Sequence, residues 1–341
     1  MKRARGYVLV VAALSLSGCY VSRLALYQNN LFNGRRPLDQ VISDQATSAE
    51  DRERLKWVQE IIAFARSENL NTEDSYRYFV DVPGGVISYT VQACDPFAFI
   101  PKTWWFPFTG RVPYLGYFDK ADRDKMAEEL KAMGLDVAGG QVAGFSSLGW
   151  FEDPVYSPML RRDKASLAHL LLHELTHRTV WVKGSVEFNE QLAEFSGEEL
   201  TRKLLSSRGM TKELEAFSAD QRDEVRFEGW IHSLKDNLDA LYRSFGDQRP
   251  KDAARQKRAV IKKWIMDSVP KFETSHFDFV AKKEWNNASI LGSQLYAPDR
   301  ERFNLALKCS NAPKTGDWLR TWNELIETST DPLGQILKLC P

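Results

Sequence analysis

The chain reads as an α+β protein, mostly α-helical. A small β-sheet is expected, with a helical part at the C-terminal end. Three observations predict this. Short runs of β-branched and aromatic residues are confined to about residues 76–155. Apolar residues recur at helical spacing nearly everywhere else, most regularly after Thr211. At 341 residues, with 43% hydrophobic and 27% charged, the chain can build a real core and does not have the composition of a disordered one.

The first stretch, "MKRARGYVLVVAALSLSGC", stands apart from the fold. It starts basic (Lys2, Arg3, Arg5), and its apolar run from about Val8 to Leu16 is too short to span a bilayer. This pattern is that of a secretory signal. Its end, Leu16-Ser17-Gly18-Cys19, resembles a bacterial lipobox. The resemblance implies a signal peptide over residues 1–18 and a mature chain tethered to the membrane through acyl chains on Cys19. Tyr20, where Asp would suggest inner-membrane retention, points to a periplasm-facing outer-membrane location. Residues 19–45 form a membrane-proximal segment with one helix and a turn. The rest, 46–341, is read as a single domain, its sheet-containing part at about 76–155, its motif-bearing helices at about 160–205 and its helical part from about 206.

Within that domain a helix starts near Ser48, with Glu50 and Asp51 in its first turn and Leu55, Val58, Ile62 and Ala65 on one face. "YRYFVDVPGGVISYTVQAC" gives two strands around Pro83-Gly84-Gly85. "DPFAFIPKTWWFPFTGRVPYLGYF" is aromatic and proline-rich and reads as irregular until a strand near Val112–Phe118; the aromatics from Trp104 to Phe108 read as packing. A helix follows from Asp119 to Met133, closed by Gly134. "LDVAGGQVAGFSSLGWF" offers one or two strands, with Trp150 and Phe151 as packing. Two helices then flank Lys183-Gly184-Ser185. Long charged helices run from Thr211 to about Arg243 and from Pro250 to about Ser268, with a shorter one near Pro298 to Lys308.

Charge and cysteines set bounds on function. Lys+Arg and Asp+Glu both number 46, so there is no basic face for nucleic acid. After Cys19 the cysteines are Cys94, Cys309 and Cys340; one disulfide is possible in an oxidising compartment, and Cys309–Cys340 would tie down the C-terminus. No Cys-x-x-Cys spacing suggests a thiolate metal site.

The chemistry lies in "LAHLLLHELTHRTVWVKGSVEFNEQLAEF", Leu167 to Phe195. His173 and His177 are four apart on one helical face, so two neutral imidazoles can grip one ion. Glu174 flanks that face, within reach of an ion-bound water. A catalytic zinc site takes three protein ligands and keeps one position open. Glu190, on the next helix, fits as the third. Glu194, one turn on, can accept the second ring proton of a ligand histidine.

His173-Glu174-Leu175-Thr176-His177 with Asn189-Glu190 resembles the gluzincin metallopeptidases. More broadly the chain is similar to the bacterial family of predicted zinc aminopeptidases, many of them lipoproteins. "NGRRPLDQVI", "SYRYFVDVP", "VPYLGYFD", "SSLGWFEDPVYSPML", "HELTH", "FNEQLAEF" and "NNASILGSQLY" carry the likeness over roughly residues 27–296. It implies a gluzincin-like zincin fold with a small mixed β-sheet packed on the helix of His173 and His177, one Zn2+ and hydrolysis of a peptide or protein substrate. It departs from the wider class in one respect: only twelve residues separate His177 from Glu190. Helix links of about 2–8 residues suffice to return a chain, and Glu194 or Glu187 stays open as third ligand. The resemblance further implies a substrate-pairing edge strand near Ser146–Gly149 and an oxyanion-stabilising tyrosine among Tyr117, Tyr156 and Tyr296, with Tyr296 first because it follows "NNAS".

On this reading Glu174 is the general base and aminopeptidase action follows, with Glu187, Glu198 or Glu199 as the carboxylate for the substrate's α-amine. Endopeptidase action is the nearest variant. A competing reading is a non-catalytic envelope lipoprotein that uses zinc as a staple, with His169 closing the fourth position; His169 otherwise reads as a core histidine.

Overall fold

The computed structural model describes residues 34–106, 110–142, 153–246, 248–310, 312–326 and 332–338. The signal segment, Cys19 and the Gly144–Phe151 stretch therefore lie outside the described residues. Strand β1 (Arg36–Pro37) leads into helix α1 (Leu38–Ser43) and then α2 (Ala49–Ser67). The Ser48 hydroxyl accepts the Asp51 N–H at 3.0 Å and caps α2 as expected. Leu55, Val58, Ile61 and Ala65 are its buried face, and Ile62 packs against the same cluster.

The two strands expected around Pro83-Gly84-Gly85 form, as β2 (Tyr78–Val80) and β3 (Ser88–Cys94), but they do not pair with each other. Next come β4 (Trp104–Phe106), β5 (Gly110–Val112), β6 (Tyr114–Tyr117), helix α3 (Lys120–Ala132), β7 (Asp136–Ala138), β8 (Gln141–Val142) and β9 (Val155–Tyr156). β2 lies between β1, antiparallel, and β9, parallel. β3 is the centre of a second, antiparallel sheet with β6 on one side and β7 and β8 on the other. β4 and β5 make a separate hairpin in the stretch expected to be irregular, with Trp104 opposite Val112 and Trp105 opposite Arg111. The single sheet expected from the sequence is thus three small ones among the described residues. The larger one packs against α3 instead of against the histidine helix, burying Val91, Leu115 and Leu130. Tyr117 and Tyr156 are 8% and 2% exposed within these sheets and serve as core.

A short 3-10 turn (Ser157–Arg161) leads to α4 (Lys164–Thr179), α5 (Val186–Ser207), α6 (Thr211–Ser244), α7 (Ala253–Ser268), α8 (Asn287–Gln294), α9 (Arg300–Ser310), α10 (Thr315–Ile326) and α11 (Pro332–Leu337). The protein is mostly helical with small sheets, an α+β arrangement. Leu167, Leu171, Leu172 and Leu175 of α4 share one cluster with α2 and the β1–β2–β9 sheet. Each such leucine contributes about 1.5–3 kcal/mol of burial, so α4 is held by its surroundings on several sides. Phe188, Leu192 and Phe195 of α5 lock onto Phe303, Trp318 and Trp322 of the C-terminal helices. Cys309 is disulfide-bonded and Cys94 is a free, buried thiol, while Cys340 lies outside the described residues. Among the described residues no helix is long and apolar enough to cross a membrane.

Candidate metal centre

α4 begins where the Asp163 carboxylate accepts the Ser166 N–H at 2.9 Å. It ends at Thr179, and Val180 turns extended. The link to α5 is closed by Asn189, a buried side chain that pairs with both backbone groups of Val182. The Val182 N–H donates to Asn189 Oδ1 and Asn189 Nδ2 donates to the Val182 carbonyl, each at 2.8 Å. The Asn of Asn-Glu is thus a splice, and it delivers the next residue, Glu190, back toward α4.

α4 and α5 run antiparallel, as the pairings His177 with Glu190 and His169 with Glu194 require. They lie close at Gly197. A Cβ there would lie 3.1 Å from His169 Cδ2 and 3.3 Å from the His173 backbone nitrogen, so a side chain at 197 would press on both.

His173, His177 and Glu190 come together as the sequence predicted, with 7%, 5% and 5% exposure. The two Nε2 atoms are 3.1 Å apart, and Glu190 Oε2 lies 3.4 Å from one and 3.3 Å from the other. A triangle with these edges has a circumradius of about 1.9 Å, so one ion could reach all three donors at ordinary bond lengths of about 2.0–2.2 Å. The residues present fit a transition-metal ion: two imidazoles and a carboxylate are the donor set such ions take, and hard, oxygen-only ions do not. Among the described residues this buried group is one of those able to hold a metal.

Electrostatics agree. Burial pushes the His173 imidazolium down, yet hydrogen bonds to Glu190 and Glu194 outweigh it and raise its pKa to about 10. Burial opposes ionisation of Glu190 too, and its hydrogen bonds with His173 and His177 hold it at about 2. The centre draws positive charge, which a dication would satisfy.

Glu194 Oε2 is 3.2 Å from His173 Nδ1, and its other oxygen is 3.3 Å from His169 Nε2. A proton on Nδ1 leaves Nε2 of His173 free to donate its lone pair. His169 therefore faces Glu194, and with His173 these form a second close set of donors, apart from His177 and Glu190. The fourth-ligand role for His169 has no geometric support. Glu187 is exposed and takes a hydrogen bond from Gln191, so it is not the third ligand.

Glu174 is half-buried beside His173. Two tyrosine hydroxyls lie within reach of its charge. Tyr296 is raised well above its usual range by burial, then by Glu190 and Glu174. Its ring centre is 6.3 Å from that of His173, and 41% of the residue is exposed, so the neighbouring charge is the firmer of the two causes. Tyr76, which the sequence reading passed over, is 3% exposed, has φ +62° and is raised by burial and by Glu174 and Asp153. Its signal was absent because nothing local marks a tyrosine in left-handed backbone. Trp181 was also missed; its ring is 5.5 Å from that of His177.

The three carboxylates expected for an amine are engaged otherwise. Glu198 is 2% exposed and is held by Arg300 through two bonds of 2.6 and 3.2 Å, and Glu199 pairs with Arg202. Arg300 also reaches Glu228 at 2.5 Å. Glu224 lies with Glu194 and Glu198, its carboxyl well above the usual range through burial and these neighbours, and makes no ion pair among the described residues. The predicted edge strand at Ser146–Gly149 lies outside the described residues.

A family model described as "Putative aminopeptidase" matches residues 19–334. No curated protein and no solved structure matches the chain.

Proposed function

The chain belongs to that family, and from this premise we propose that it is a zinc-dependent aminopeptidase, exported and lipid-anchored at Cys19 to the periplasmic side of the outer membrane. The observation that carries this reading is the convergence of His173 Nε2, His177 Nε2 and Glu190 Oε2 on one point, with Glu174 alongside. When bound, zinc supplies Lewis acidity that polarises a peptide carbonyl and makes water acidic enough to attack near neutral pH.

The chain's own residues do the rest. Glu194 holds the His173 ring by its Nδ1–H. Glu174 takes the proton of the attacking water and passes it to the leaving amine. The Tyr296 hydroxyl donates to the oxyanion that forms at the carbonyl oxygen when its carbon is attacked. Glu224, which lies with Glu194 and Glu198 and forms no ion pair among the described residues, meets the substrate's α-amine. A staple role is disfavoured because His169 faces Glu194 and because a closed site has no use for Glu174.

The test uses the full chain in detergent, with metal analysis and a panel of peptides carrying free or blocked N-termini. One zinc per chain is expected, with cleavage of free N-termini only. Glu174→Gln should keep the ion and lower kcat by about 10²–10⁴. Well-folded protein without zinc, or cleavage indifferent to Glu174→Gln, would overturn the reading; cleavage of blocked peptides would make the enzyme an endopeptidase.

A further inference from the structure

Tyr296 does not belong to the helices that carry the ion's donors. It sits in a turn after α8, where the Ala297 N–H donates to the Gln294 carbonyl at 3.1 Å. Both sides of that turn are tied to other parts of the protein. Upstream, Asn286 and Ser289 cap α8 reciprocally, and Asn286 Nδ2 donates to the Val137 carbonyl of β7 at 3.0 Å. Asn287 is fully buried. Its N–H donates to Asp136 Oδ2 at 2.8 Å, its Nδ2 to the Asp95 carbonyl at 2.9 Å, and its Oδ1 accepts the Tyr242 hydroxyl at 2.7 Å. Gln92 of β3 donates to the Ala288 carbonyl at 3.0 Å, and Gly292 leaves room for that amide, since a Cβ there would fall 1.9 Å from it. Downstream, four residues past Tyr296, Arg300 clamps Glu198 of α5, the helix that also carries Glu190 and Glu194.

A tyrosine held only by its own turn would be free to swing. Here one end is pinned to a sheet and the other to the helix that supplies the ion's carboxylate. We propose that residues 286–300 are a two-ended strap that fixes Tyr296 over the metal centre, with Asn287 and Arg300 as its positioning residues. Arg300 does this through geometry: its planar fork holds both oxygens of Glu198, which a lysine cannot reproduce. The catalytic half of this inference rests on the role proposed above for Tyr296; the positional half does not.

Two measurements on the full chain separate the halves. The first places 3-fluorotyrosine at position 296 and follows its 19F resonance. One narrow line is expected in the parent protein. Arg300→Lys, and the charge-neutral pair Glu198→Gln with Arg300→Gln, should shift or broaden it, while Arg202→Lys, on the same helix but tied to Glu199, should not. If neither Arg300 variant folds, Gln92→Ala loosens the upstream end and is read in the same way. The second measurement is a kinetic cycle. Arg300→Lys should lower kcat about 10- to 100-fold with little change in KM, since misplacement by about 1 Å costs that much. In the Tyr296→Phe background the same change should cost less than about 2-fold, because the strap then has nothing to position. An unmoved 19F line in the variants that fold, or effects that multiply across the cycle, would overturn the strap. A line that moves in a protein that hydrolyses nothing would leave the strap standing and remove the hydrolase reading instead.

Discussion

Asn189→Ala tests whether the splice between α4 and α5 holds the centre together. The substitution deletes two hydrogen bonds of 2.8 Å and leaves the N–H of Val182, itself 5% exposed, without its partner, while the Val182 carbonyl keeps the Ser185 N–H at 3.2 Å. An unsatisfied buried polar group costs about 1–3 kcal/mol, and the bond lost from the still-partnered carbonyl adds about 0.5–1.5 kcal/mol, about 1.5–4.5 kcal/mol together. Against a total stability of about 5–15 kcal/mol, that is a large share. The assay is guanidinium unfolding of the metal-free protein followed by far-UV circular dichroism, with zinc affinity measured separately by chelator competition. We expect a loss of about 2–4 kcal/mol in the metal-free protein. Affinity should also fall about 10- to 100-fold, the range for residues that support a ligand from outside. Asn189→Asp should do no better, because its second oxygen would face the Val182 carbonyl. A metal-free loss below about 1 kcal/mol would refute the argument that these bonds close the hairpin. A stability loss with unchanged affinity would refute the claim that the splice sets the place of Glu190.

Zinc should raise the midpoint of thermal unfolding and EDTA should reverse the shift, by about 4 kcal/mol when free zinc is a thousandfold above its dissociation constant. His177→Ala should abolish that difference. Phe195→Ala removes a buried ring stacked on Phe303 at 5.3 Å and should cost about 3–5 kcal/mol in urea titration. Asp223 should make stability depend on acid. Burial opposes its ionisation, but the Glu273 and Thr274 N–H groups and Arg226 lower its pKa from 3.8 to about 2. The folded value lies below the unfolded one, so the stabilisation is complete above about pH 4 and is lost as pH falls toward 2. Asp223→Asn should flatten the unfolding curve in that window, and an unchanged slope would contradict the assignment.

What was readable in the sequence was what is local. His173, Glu174 and His177 share one helix, so their spacing alone put them on one face. Glu190 and Glu194 follow after a single break, and a short link leaves few ways to return. The pairing of strands was not readable, because strands of two to seven residues carry too little pattern to choose a partner. β2 takes β9, some 75 residues away, in place of its neighbour β3. The Trp104–Val112 hairpin was hidden by the prolines at 101, 107 and 113. Arg300 gave no sign either: Glu198 and Glu228 are 102 and 72 residues from it, and only the folded chain brings three such charges together.

The donors of the metal centre all lie between residues 173 and 190, on one helical hairpin, while Tyr296 arrives near the far end of the chain. During synthesis the hairpin therefore emerges long before the strap. Its second helix, α5, is packed by Phe303, Trp318 and Trp322, which are made later still. The hairpin thus has its donors early and its packing late. On the proposed reading, the order of residues alone keeps the centre incomplete until the end of the chain has been made.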